Sequence, residues 1–207
     1  MSPAQGLDFA SVFVFALTGA LVASRAQLDI IGFLFIASLT AVGGGTIRDV
    51  ILRRDQVFWV AEPIYIGVAC AAAILVFFTA HLLESRWRAI LWLDAVALSI
   101  AVTAGFAVAR NLDASWPVLL MMGVTTGCLG GLMRDVVCNE VPLVLRQGEL
   151  YVTAALAGAG AGVATFALTG TQSVAYLACI ATTFALRAGS MAFGWRLPVY
   201  KSRPPRA

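Results

Sequence analysis

Two short blocks carry the residues best suited to act on an ion or a small solute. Gly44-Gly45-Thr-Ile-Arg48-Asp49-Val50 recurs as Gly130-Gly131-Leu-Met-Arg134-Asp135-Val136, at an offset of 86 residues (134 − 48). Consecutive glycines are costly inside a helix, each roughly 1 kcal/mol worse than alanine. They also leave backbone carbonyls free to turn toward a cavity. Gly43, Gly44 and Gly45 are therefore expected to break one helix, and Gly130 and Gly131 another. The half-helix before each break would end in partial negative charge. Two such ends, with the hydroxyls of Thr40 and Thr126 beside them, would make an oxygen-rich, mildly negative constriction. That suits a partly dehydrated monovalent cation passing near Gly43, Gly44 and Gly130. It offers no carboxylate cage for a hard divalent ion, so no tight metal site is expected. The competing reading is that the glycines serve close helix packing alone.

Arg48-Asp49 and Arg134-Asp135 are charges next to long apolar runs. At membrane depth each charge costs on the order of 2.5–3.5 kcal/mol, so each needs a partner or water. Neighbours in sequence do not share a helix face. The repeat therefore suggests crossed pairs, Arg48 with Asp135 and Arg134 with Asp49, acting as neutralised clamps or as a gate. The alternative places these charges at helix ends, snorkelling to the interface. Asp8 and Asp94 are each expected to cap the start of a helix. Asp94 lies deeper in its apolar run and is also a candidate pathway carboxylate.

The elements that must position these residues follow from composition. Of 207 residues, 60% are hydrophobic and 12% charged, and mean hydropathy is +0.89. A soluble domain carries about 25% charged residues, and a disordered chain needs the opposite composition. A net charge of +3 without a dense basic patch argues against nucleic acid as a partner. Neither a Ser-His-Asp set nor an HExxH, P-loop or metal-ligand spacing is present, so neither an enzyme nor a bound cofactor is expected. Cys70, Cys128, Cys138 and Cys179 show no CxxC spacing and read as inert thiols. The N-terminus has no basic n-region, so the first apolar run is expected to be retained as a span.

What remains is an all-α integral membrane protein, one membrane domain over 1–207. Apolar runs predict spans at Phe9–Ser24, Ile30–Ile47, Pro63–Leu83, Ala89–Ala109 (with only Asp94 charged inside it) and Ala114–Met133. The run Leu150–Leu186 is long enough for two more, divided at Thr169–Ser173. Repeat one covers about 7–84 and repeat two about 93–170, with a seventh helix at about 173–190 and a polar tail over 197–207. Three spans per repeat invert the second copy, an architecture in which broken helices, here the second and fifth, meet the transported species near the midplane. Basic residues concentrate on the side carrying Arg25, Arg86, Arg88, Arg146 and the C-terminal stretch with Arg187, Arg196, Lys201, Arg203 and Arg206. The N-terminus is expected outside and the C-terminus in the cytoplasm.

The blocks Thr40-Ala-Val-Gly-Gly-Gly-Thr-Ile-Arg-Asp49, Gly130-Gly-Leu-Met-Arg-Asp135 and Glu140-Val-Pro-Leu-Val-Leu-Arg146 resemble the trimeric intracellular cation (TRIC) channel family. The resemblance is closest to its prokaryotic branch, also catalogued as a glycine-transporter domain, and runs from about Leu7 to Pro198. It implies a homotrimer in the prokaryotic plasma membrane among lipids, with an hourglass-type pore in each subunit. It implies conduction of monovalent cations, chiefly potassium as permeant ion, along kinked second and fifth helices. Leu129 departs from the pattern, standing where the first repeat has Gly43. A secondary transporter of a small zwitterion such as glycine fits the same repeats and breaks.

Overall fold

The computed structural model describes residues 2–82, 85–198 and 200. Among them it contains eight α-helices, seven of them long and apolar enough to cross a membrane. Helix α1 (Pro3–Arg25) starts at a capping box, in which Ser2 and Gln5 each accept from the other's backbone N–H. Helix α2 (Ile30–Ile51) is capped by Asp29, which accepts from the Gly32 N–H. A short turn of helix, α3 (Phe58–Ala61), leads into α4 (Ile64–Thr79), which a 3₁₀ turn extends to Leu82. Helix α5 (Arg86–Asn111) is capped by Ser85, and α6 (Trp116–Val137) begins with Pro117 in its first turn. Helices α7 (Val152–Thr169) and α8 (Gln172–Phe193) end at Gly170 and Gly194, which adopt φ +66° and +70°. Only glycine takes that left-handed conformation without steric cost.

Every expected span is present, and α7 ends at Thr169 where the division was expected. The tail over 197–207 lies largely outside the described residues, as do Leu83 and Glu84. Two expectations are corrected. Helices α2 and α6 run uninterrupted through Gly43–Gly45 and Gly130–Gly131, so neither is broken there. Asp8 and Asp94 do not cap helices. Ser2 and Ser85 do that, and the two aspartates lie well inside α1 and α5. Asp8, Arg48 and Arg134, which delimited expected spans, are inside the helices because they find partners there.

The repeat governs the packing. Helices α1, α2 and α4 form one three-helix unit, α5, α6 and α7 the other, and α8 lies against α7 and α5. The units meet through α1 against α5 and α2 against α6. Turn geometry repeats as well. Gln27 and Arg53 adopt φ +55° and +52° after α1 and α2, and Asp113 and Asn139 adopt +50° and +54° at the same registers. The residue types differ while the backbone shape is kept.

The glycines permit a close crossing of α2 and α6. A Cβ on Gly44 would sit 2.3 Å from the Thr126 carbonyl oxygen, and one on Gly130 would sit 2.4 Å from the Thr40 carbonyl oxygen. These contacts exchange under the repeat offset, as a two-fold axis in the membrane plane requires. Gly19 and Gly105 serve the contacts α1–α2 and α5–α6 in the same way, each facing the hydroxyl of Thr40 or Thr126. Close packing, the competing reading of the glycine runs, describes this geometry.

Overpacking costs about 1–3 kcal/mol and exceeds the roughly 1 kcal/mol that alanine gains in helix propensity. Gly44→Ala and Gly130→Ala should therefore lower the thermal midpoint in detergent. Gly67→Ala and Gly160→Ala, where nothing lies within 4 Å, should leave it unchanged or raise it. A fluorescence-detected size-exclusion melting series measures both.

Candidate functional site

Two buried charge clusters flank the crossing, one from each repeat. Helix α1 leaves the face that carries the N-terminus and α2 returns to it, which brings Asp8 and Arg48 together. Arg48 is fully buried. Its Nη1 donates to Asp8 Oδ1 at 2.7 Å and its Nε to Asp49 Oδ1 at 2.7 Å. The second oxygen of Asp49 accepts from the Phe58 backbone N–H at 2.8 Å and from Arg54 at 3.2 Å. The Arg48 guanidinium also lies 5.3 Å from the centre of the Phe58 ring.

The second cluster repeats this pattern at the opposite face. Arg134 Nε donates to Asp135 Oδ1 at 2.8 Å, and its Nη1 reaches Asp94 Oδ1 at 3.1 Å and the Thr18 hydroxyl at 3.0 Å. Asp135 Oδ2 accepts from the Leu143 N–H at 2.9 Å, as Asp49 does from Phe58. The crossed pairs are thus corrected: each arginine pairs within its own repeat, with its neighbour and with the aspartate 40 residues upstream. The arginine stem is long enough to fold back over the helix surface to the next residue while its tip reaches the adjoining helix. Sequence neighbours on divergent faces can then pair after all.

Thr40 and Thr126 are buried, and their hydroxyls donate to the carbonyls of Ile36 and Met122 one turn earlier. Gly43 accommodates the Met133 methyl group, and Gly45 the Phe58 ring. At Gly131 an added Cβ would stand 3.4 Å from the Tyr151 hydroxyl, 3.6 Å from Arg134 and 3.6 Å from Asp94. Gly131 therefore borders the second cluster, whereas Gly44 and Gly130 form the crossing itself. Asp94 is the centre of that cluster, since its other oxygen accepts from the Tyr151 hydroxyl at 2.8 Å.

The two ends differ in access. A cavity of about 350 Å³ opens at the N-terminal face, lined by Gln5, Asp8, Arg54, Glu62, Tyr65 and Asn111 among others. Tyr65 borders it and stacks on Phe9, with ring centroids 3.9 Å apart. Its repeat counterpart Tyr151 is equally buried, but there the hydroxyl donates to Asp94. Arg187 was expected among the charges near the tail, yet it is fully buried in α8, donating to Glu149 Oε2 at 2.8 Å. Sequence reading also missed Asp8 and Tyr151 as members of the clusters. Their signal was in the repeat, where Asp8 aligns with Asp94 and Tyr65 with Tyr151. Cys138, at the end of α6, has its thiol pushed up by partial burial and then by the Glu140 carboxylate, which lowers its thiolate fraction.

The family model described as Glycine transporter matches residues 5–81 and 91–167, two stretches whose starts differ by the repeat offset (91 − 5). The chain is 43% identical to a TRIC trimeric intracellular cation channel orthologue from Rhodobacter sphaeroides. The match has a TM-score of 0.90 and covers 94% of this chain and 100% of the other. The chain belongs to the TRIC channel family. It is also 35% identical to a UPF0126 membrane protein of Vibrio cholerae, over 94% of this chain and 81% of that protein. With the UPF0126 inner membrane protein YadS of Escherichia coli it shares 40% identity over 73% of each. These matches are membrane proteins and channels, so this TRIC-family chain is an integral membrane protein and not an enzyme.

Contacting pairs couple by about 0.5–3 kcal/mol, whereas distant ones add within roughly 0.5 kcal/mol. Double-mutant cycles read by thermal melts should show coupling for Asp8–Arg48 and Asp94–Arg134 and none for Arg48–Asp135. Coupling across the repeats would contradict the pairing described here.

Proposed function

We propose that this protein is a cation channel selective for monovalent ions, chiefly potassium. It works as a homotrimer with one hourglass-type path per subunit beside the α2–α6 crossing. The observation that carries this reading is that each buried arginine holds two carboxylates. A free guanidinium in a narrow path repels cations, and a doubly paired one does not. Around Arg134 the balance of Asp94 and Asp135 against one arginine is net negative, which favours cations over anions in a low-dielectric setting. The 350 Å³ cavity, with Asp8 and Glu62 on its wall, supplies one wide mouth of the hourglass. Full-length similarity to a trimeric intracellular cation channel orthologue supports the ion class and the trimer.

In this reading the waist lies beside the glycine crossing, and the ion enters it from the Asp8 side and leaves past Asp94. Thr40, Gly43, Gly44, Gly45, Thr126, Gly130 and Gly131 shape the waist by setting how closely α2 and α6 approach. Glycine-rich helix stretches bend readily, so these helices open the waist by flexing there. The Arg48–Asp49 and Arg134–Asp135 pairs, with Asp8 and Asp94, form the two ends of the gate. The N-terminus faces outward and the C-terminus the cytoplasm, in keeping with the excess of Arg on the latter side.

The family model's description keeps a glycine transporter in view as the second reading. A carboxylate substrate would need half-helix N-termini at the midplane, and the uninterrupted α2 and α6 present none.

Purified protein in a planar bilayer under a potassium chloride gradient separates the two. Discrete openings that reverse near the potassium equilibrium potential are expected, from particles of trimer mass in lipid. Reversal near the chloride potential, or silence together with saturable uptake of labelled glycine into liposomes, would overturn the channel reading.

A further inference from the structure

The two repeats supply matching clusters, but among the described residues a side chain from outside the repeats closes over the tyrosine of the second. That residue is Arg187 on α8. It is fully buried, and its guanidinium carbon lies 5.0 Å from the centre of the Tyr151 ring. One nitrogen donates to Glu149 at 2.8 Å, while its Nε and Nη2 have no partner among the described residues. A buried donor without a partner is unfavourable by its full desolvation cost. Arg187 therefore stays in place only because its surroundings hold it. Beneath it the Tyr151 hydroxyl donates to Asp94, which in turn accepts from Arg134.

What holds Arg187 is a clasp between the α6–α7 loop and the segment after α8. Glu149 and Arg196 form an antiparallel bridge, and the Leu197 N–H donates to the Gly148 carbonyl at 2.9 Å. The Ser190 hydroxyl joins both strands, accepting from the Leu150 N–H at 3.1 Å and donating to the Trp195 carbonyl at 3.0 Å. The Trp195 ring fills the notch at Gly189, where an added Cβ would come within 2.2 Å of it. The clasp thus fixes Glu149, and Glu149 is the carboxylate that Arg187 engages. In the first repeat Tyr65 is as deeply buried, against Phe9 and Phe58, but among the described residues no cation lies over its ring, and it borders the 350 Å³ cavity.

We infer that Arg187 is a positioning residue for the closed state, acting through Tyr151, and that the clasp holds it there. The cation over the ring keeps the Tyr151 hydroxyl on Asp94 and so keeps the second cluster shut. Release of the clasp frees Glu149, lets Arg187 reach water and satisfy its two open donors, and allows Tyr151 to leave Asp94. Opening at this end is then favoured by hydration of the arginine and opposed by the clasp, which makes a two-state element out of few contacts. The inference rests on the channel reading above.

Single-channel recording of the full chain tests it. Arg187→Gln should raise open probability about tenfold, a usual size for coupling between sites, with unitary conductance and reversal potential unchanged. Tyr151→Phe should raise it as well, and the double variant should open no more than Tyr151→Phe alone. Should Arg187→Gln fail to fold, Trp195→Ala takes its place, because Trp195 is about half exposed. It should raise open probability in the wild-type background and not in Tyr151→Phe. Unchanged open probability in Arg187→Gln, or full additivity with Tyr151→Phe, overturns the inference while a conducting wild type leaves the channel reading standing. A wild type that passes no cation current overturns both.

Discussion

A guanidinium deep in a membrane protein must be matched by carboxylates, and the rest of this structure depends on that requirement. An isolated buried ion costs several kcal/mol after relaxation. Arg48 and Arg134 each meet it with two aspartates, one adjacent in sequence and one brought in from the first helix of the repeat. The second aspartate ties α1 to α2 and α5 to α6. The first also accepts a backbone N–H from the following segment, at Phe58 and at Leu143, which fixes where the chain turns after each helix. One ion cluster thereby sets helix pairing and loop direction.

With the arginines neutralised, the two repeats can approach on their glycine faces. The contacts Gly44 to Thr126 and Gly130 to Thr40 are a single contact made twice under the pseudo-two-fold axis. A hydroxyl in this region serves the fold first: Thr40 and Thr126 donate to their own helices and sit against Gly19 and Gly105. Helices α1 and α5 are the interior, with 61% and 67% of their spanning stretches buried, whereas α7 and α8 reach only 28% and 33%. Large apolar side chains on α4, α7 and α8 face outward, as lipid contact or subunit contact demands.

Symmetry ends at α8. Nothing in repeat one corresponds to it, and it supplies a fully buried arginine whose partner lies in a loop. The result is an open cavity beside Asp8 at one face and a covered tyrosine over Asp94 at the other, from two nearly identical clusters. An inverted repeat by itself gives two equivalent ends. Here α8, an element outside the repeat, makes one end differ from the other.

The sequence by itself determined the number and place of the spans, because hydropathy is summed locally along the chain. It also determined the inverted repeat, because an Arg-Asp block recurring in register inside apolar runs has few other meanings. Asp8 and Asp94 were visible as aligned charges but read as caps, since the serines that cap α1 and α5 lie several residues upstream. Whether the glycine runs break a helix or admit a neighbour was not legible, for both need the same small residues. Only the tertiary structure decided that, and with it which aspartate each arginine takes and that Arg187 is buried. Those outcomes depend on which helix faces meet and how far a long side chain reaches across the gap. Neither quantity exists until the helices are packed.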